Sequence, residues 1–300
     1  VSTYNYRLIT PPEEEEVYPY RRVWRSIAIE SGIVLAVAGL AFVVFSLLNV
    51  RLPRTFAQPA NALLALLPFG LWLIVSLWRE QFALQPRKRL LAVAVVSALV
   101  ANGVSIPFIE GVFQPERWLP VGSAISRIVG YTFTVGIVQE VLKYLVVRYL
   151  VWPDHFRTRL DGVAYCAASA VGYATMLNVQ FVLSGIALPE IVAIYVFGTL
   201  AVNLAGSIIV SYGMAEVRFD NPSPFLLTTS VALAALVNGI IIPVRAGLGN
   251  AAFSLRGGVS APIFGLGLSA GVLLAASILV AFLYSSTERR EREAAASREV

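Results

Sequence analysis

Residues 31–48 read Ser31-Gly-Ile-Val-Leu-Ala-Val-Ala-Gly-Leu-Ala-Phe-Val-Val-Phe-Ser-Leu-Leu48, and no charge interrupts them. The apolar run starts near Ile27 and stops at Asn49-Val-Arg-Leu-Pro53. That is the roughly 20 residues a helix needs to cross a hydrocarbon core about 30 Å thick. Lipid offers no partner to backbone N–H and C=O groups, so a run of this length must satisfy them internally as a helix. A strand span would alternate apolar and polar residues over about ten positions, and this run does not.

The pattern recurs along the chain. Eight spans are expected, near 27–48, 60–78, 90–109, 122–151, 162–184, 190–215, 225–243 and 259–284. They are separated by charge or proline clusters such as Pro86-Arg-Lys-Arg89, Trp152-Pro-Asp154 and Asn221-Pro-Ser-Pro224. The expected fold is all-α, a polytopic membrane bundle of about eight transmembrane helices. The bundle occupies 27–284, between a polar tail at 1–26 and a charged tail at 285–300. The 300-residue composition agrees, with 57% hydrophobic and 14% charged residues against about half and a quarter in soluble domains. No cleavable signal peptide is expected, because the first apolar run is too long for one.

Lysine and arginine set the orientation. With the N-terminus in the cytoplasm, fifteen of them fall in inside segments and five in outside loops (Arg51, Arg54, Arg117, Arg245 and Arg256). Both termini are therefore expected to be cytoplasmic, and the bacterial cytoplasmic membrane is the expected location. The bias also accounts for the net charge of +5 without nucleic acid. Trp24, Trp78, Trp118 and Trp152 fall at expected span ends, where an amphipathic ring prefers the headgroup level. Trp72 does not, and is expected to pack or to face lipid.

Composition limits the chemistry as well. One histidine (His155) and one cysteine (Cys166) cannot form an intrachain disulfide, a zinc site built from several His and Cys ligands, an iron–sulfur cluster or a two-ligand haem site. No cofactor and no metal are expected.

Ionisable groups inside a span cost about 2.5–3.5 kcal/mol each on insertion scales. The fourth span nevertheless carries Arg127, Gln139, Glu140 and Lys143. Glu140 and Lys143 are three residues apart, share a helix face and can neutralise one another. Spacing alone leaves two alternatives open: an ion, proton or catalytic site, or an ion pair that orients the bundle. Asn178, Gln180, Asn203 and Asn238 are expected as hydrogen-bonding glue between helices. Small-residue faces at Gly162, Cys166, Ala167, Ala170, Gly172 and Ala174, and at Gly265, Gly267 and Gly271, are expected to be packing surfaces where backbones approach closely.

Two motifs carry a family resemblance. Gln139-Glu-Val-Leu-Lys143 resembles a Glu-Glu-x-x-Lys motif. Asp161-Gly-Val-Ala-Tyr-Cys-Ala-Ala-Ser-Ala-Val-Gly-Tyr-Ala-Thr-Met-Leu-Asn178 resembles a stretch with Asp-Gly, a following Tyr, a Gly-aromatic pair and Glu-Asn. In order and spacing the chain, over about 140–240, is similar to the PrsW family of intramembrane metalloproteases, relatives of the CAAX-type membrane peptidases. It matches at Glu140, Lys143, Asp161, Gly162, Tyr165, Gly172, Tyr173 and Asn178. The resemblance implies a metal-dependent membrane peptidase, but the departures fall on the chemistry. Gln139 stands at the first paired glutamate and Leu177 at the Glu of Glu-Asn. Asn203 and Asn238 stand where later spans of the family supply histidine.

A catalytic zinc needs about three protein ligands and an activated water. Glu140 supplies one. The expectation is therefore a PrsW-like bundle without catalysis, a structural or accessory subunit whose outer faces bind lipid and other integral membrane subunits. A respiratory or photosynthetic electron-transfer assembly is one conceivable host. The alternatives are an active metallopeptidase with an atypical site around Glu140, and a transporter or substrate-binding regulator.

Overall fold

A computed structural model describes residues 23–83, 86–185, 187–220, 223–250 and 262–296. The acidic run Glu13 to Glu16, with Arg7, Arg21, Arg22, Arg256 and Arg298, lies outside the described residues. So does most of the expected N-terminal tail.

Among the described residues there is helix and no strand. We label the helices α1 (Val23–Leu47), α2 (Thr55–Glu80), α3 (Leu90–Val121), α4 (residues 124–150), α5 (Arg159–Ser184), α6 (Pro189–Phe219), α7 (Leu226–Arg245) and α8 (Ile263–Arg290). Helix continues past α7 to Asn250 and past α8 to Ala296. α3 is interrupted at Gln114, whose backbone is left-handed (φ 47°). The expected span there ended near 109, and the helix proper runs on to Phe113.

Seven of the eight helices are long and apolar enough to cross a membrane. The eighth, α4, is not among them, because Arg127, Gln139, Glu140, Lys143 and Arg148 lower its hydropathy. It still runs the height of the bundle. At one end Arg89 Nη1 donates to the Leu150 carbonyl (2.8 Å) beside the start of α3. At the other, Gly130 packs against Leu119 at the far end of α3. Among the described residues the bundle therefore has eight long helices, seven of them candidate membrane spans. The charged one crosses inside the protein, where its polar groups find partners.

α6 is the central post, with 83% of its apolar window buried, against 61% for α5 and 28% for α8. A helix hydrophobic on all sides belongs in the core, and α6 adds Asn203, Gly206, Ser207, Ser211 and Gly213, which keep its surface thin. Glycines set the closest approaches. A Cβ on Gly172 of α5 would strike the Ala94 backbone of α3. Gly136 of α4 and Gly239 of α7 each sit against the other helix, at Ala235 and Thr132 respectively. A wider π-type turn at Thr132–Gly136 falls at this crossing. Such turns are frequent near functional sites.

Cysteine and tryptophan positions follow from packing. Cys166 is buried with its Sγ 4.0 Å from Met214 Sδ. Trp72 is buried and packs beside Phe69, with ring centroids 5.9 Å apart. Gly265 lies against the Arg245 side chain. Gly267 and Gly271, expected to pack, point outward with nothing within 4 Å. The inward face of α8 is instead Leu266, Ser269 and Leu273, because a small-residue spacing fixes which residues share a face and not what that face meets.

Candidate functional site

The polar core is assembled from α4, α6 and α7. Glu140 is fully buried, with Lys143, Asn203 and Asn238 at 3%, 3% and 1% exposure. Lys143 Nζ donates to Glu140 Oε1 at 2.8 Å, to Asn203 Oδ1 at 3.0 Å and to the Asn203 carbonyl at 3.2 Å. Asn238 Nδ2 donates to the same Glu140 Oε1 at 2.7 Å. Asn203 is oriented by its own amide, which donates to the Thr199 carbonyl at 2.9 Å. The ring of Tyr173 lies 5.7 Å from Lys143 Nζ. All three donors of the ammonium are thus directed at oxygen acceptors, which a buried cation requires.

The site is tightly closed. Gly206 of α6 faces the Glu140 carboxylate so closely that a Cβ there would overlap it. The cavity lined by Glu140, Lys143, Tyr144, Cys166, Ser169 and Ser207 has no room for a water molecule. Glu140 Oε2 has no hydrogen-bond partner among the described residues, nor do Ser207 Oγ and either polar atom of Asn178.

The second motif is divided between two places. Asp161 lies in the first turn of α5. Its Oδ1 accepts from Arg87 Nε at 2.6 Å, and its Oδ2 accepts from the backbone N–H groups of Arg157 (2.7 Å) and Thr158 (2.8 Å). With Thr158 it forms a capping box. Arg87 also lies 3.5 Å from Glu80 Oε2, so a buried triad joins the ends of α2 and α5 to the start of α3. Tyr165 OH donates to the Lys88 carbonyl at 2.9 Å. Gly162 packs on the Ser211 carbonyl of α6 at 3.1 Å from an added Cβ. Tyr173, which borders Lys143, is twelve residues further along α5, about 18 Å at 1.5 Å per residue. Asp161, Gly162 and Tyr165 therefore anchor one face of the bundle, while Glu140, Lys143, Asn203 and Asn238 meet at its centre. Leu177 and Gln180 line neither place. They border a cavity of about 610 Å³ at the opposite end, with Glu110, Gln114 and Tyr195.

Several further buried polar contacts lie outside the Glu140 centre and the Asp161 anchor. Glu30 accepts from the Ser76 hydroxyl, Tyr173 donates to Ser105, Ser97 meets Ser169 at 2.7 Å, and Arg159 lies 3.3 Å from Glu216. The capping role of Asp161 is legible in the Thr158-Arg-Leu-Asp161 spacing.

Fold and site together define a polytopic membrane protein with a closed polar centre inside its helix bundle. The model of the PrsW family intramembrane metalloproteases matches residues 85–210, the segment that carries Glu140, Lys143, the second motif and Asn203, and over that segment the chain is similar to the family. No curated protein and no solved structure matches it.

That family implies a metal, and the donors present do not suit one. A divalent cation on Glu140 Oε1 would have to displace the Lys143 ammonium, which leaves Oε2 as the one carboxylate oxygen there without a hydrogen bond among the described residues. The other neighbours, Asn238 and Asn203, present an N–H to Glu140 and an amide oxygen to Lys143. Zinc takes Cys, His and carboxylate ligands. Among the described residues no three His, Cys, Asp or Glu side chains cluster.

Proposed function

We propose that this chain is a non-catalytic PrsW-like protein of the bacterial cytoplasmic membrane, serving as a structural or accessory subunit of a larger membrane assembly. One observation carries the proposal: Glu140 Oε1 takes hydrogen bonds from both Lys143 and Asn238 in a space without room for water. A hydrolytic glutamate must hold and deprotonate a water. Here the lysine neutralises the carboxylate and α6 closes over it. The exterior remains for work, because the outer helices present large apolar side chains such as Leu40, Leu63, Leu274 and Phe282 to their surroundings. Lipid covers such faces, and so do other transmembrane subunits.

Purification at native abundance in mild detergent tests the proposal. The expected result is a defined set of co-purifying membrane polypeptides. Migration as a lone monomer argues against a subunit role. A second reading, an active peptidase with an atypical site, draws on Glu140 Oε2, which has no protein partner among the described residues.

A further inference from the structure

Buried basic groups in this bundle have oxygen acceptors. Arg87 sits between Glu80 and Asp161, Arg159 meets Glu216, and Lys143 meets Glu140. Arg127 donates to the carbonyls of Gly122 and Pro120. Arg245 differs. It ends the α7 span, partly buried, at the face opposite the Glu80–Arg87–Asp161 triad. Its guanidinium lies 5.7 Å from the Tyr195 ring. Among the described residues it has neither an ion pair nor a hydrogen bond. Residues 246–262, which follow it, contain no Asp or Glu, so the next segment of chain brings no counter-ion.

Two neighbouring helices nevertheless hold this side chain in place. A Cβ on Gly198 of α6 would overlap Nη1, and one on Gly265 of α8 would come 3.1 Å from Cγ. The guanidinium is thus fixed against α6 and Tyr195, where a freely snorkelling arginine would reach outward. It keeps its charge at any physiological pH and carries five N–H donors in a planar fork. Leaving such donors unfilled in a poorly solvated place is costly. The fork fits an oxyanion through two parallel hydrogen bonds. At the end of a span the abundant oxyanion is phosphate.

We infer that Arg245, with Gly198 and Gly265 making room for it, is a binding site for a phosphate oxyanion, either the phosphodiester of a phospholipid in that leaflet or a free phosphate. The site does not depend on whether Glu140 is catalytic. The full chain, purified and depleted of lipid in detergent, is titrated in separate arms with short-chain phosphatidylglycerol and with sodium phosphate. Binding is read by thermal shift and by native mass spectrometry.

One saturable phosphate-bearing ligand per chain is expected. Affinity should fall at least about tenfold in Arg245→Gln, the loss of one charge-assisted hydrogen bond or more. Arg245→Lys, a point charge without the fork, should fall between the two. Saturation with the lipid alone identifies a lipid site, and saturation with sodium phosphate identifies a free-anion site. The inference is overturned if wild-type chain binds neither probe saturably, or if Arg245→Gln binds as wild type does. The wild-type titration decides the matter even should both variants fail to fold.

Discussion

Replacing Lys143 with methionine removes the cation that neutralises Glu140 and keeps most of the side-chain volume. Glu140 is fully buried, its Oε2 has no partner among the described residues, and the adjacent cavity admits no water to solvate it. Asn238 would remain as the one donor to Oε1. Removing one partner of a buried ion pair costs about 3–5 kcal/mol. That corresponds to a fall in melting temperature on the order of 10 °C. Adding Glu140→Gln in the same chain removes the stranded charge and should recover about half of the loss or more, since the double variant buries no net charge. Glu140→Gln alone should be milder than Lys143→Met, because the ammonium keeps the oxygens of Asn203 at 3.0 and 3.2 Å. The chain supplies its own reporter: Cys166, its sole cysteine, is buried and becomes reactive to a thiol dye as the bundle opens. If Lys143→Met melts with the wild type, or if the two substitutions simply add, the pair does not neutralise itself as described.

Two further substitutions probe the frame around the site. Gly172→Ala puts a methyl group into the Ala94 backbone, which cannot yield as a flexible side chain would. It should lower stability by roughly 1–3 kcal/mol, and wild-type melting in the same thiol assay would show that α3 and α5 do not cross there. Asp161→Asn strips Arg87 of its closest carboxylate at 2.6 Å. It should cost about 3–5 kcal/mol and speed limited proteolysis between 80 and 90, whereas an unchanged cleavage rate would remove the triad's anchoring role.

Much of the frame is legible in the sequence, because lipid forces apolar runs to be helices and charge bias at their ends is visible residue by residue. The Glu140–Lys143 face follows from a three-residue spacing on one helix. Their junction with Asn203 and Asn238 does not follow, since it brings together side chains 60 and 98 positions away, and only packing sets that. Glycine is ambiguous for the same reason. Gly136 and Gly239 turn out to be mutual contacts, whereas Gly267 and Gly271, with the more suggestive spacing, face outward. Glu30, inside the first span, is paired with a serine from the second. A polar group near a span end reads as a boundary until its partner is seen.

The zinc content of the purified chain, beside that of Glu140→Gln, tests the central claim most directly. Both should carry well under one equivalent after equilibration with the metal, with no difference between them. One tightly held zinc per wild-type chain, absent from the variant, would contradict the claim that Glu140 is held by Lys143 and Asn238.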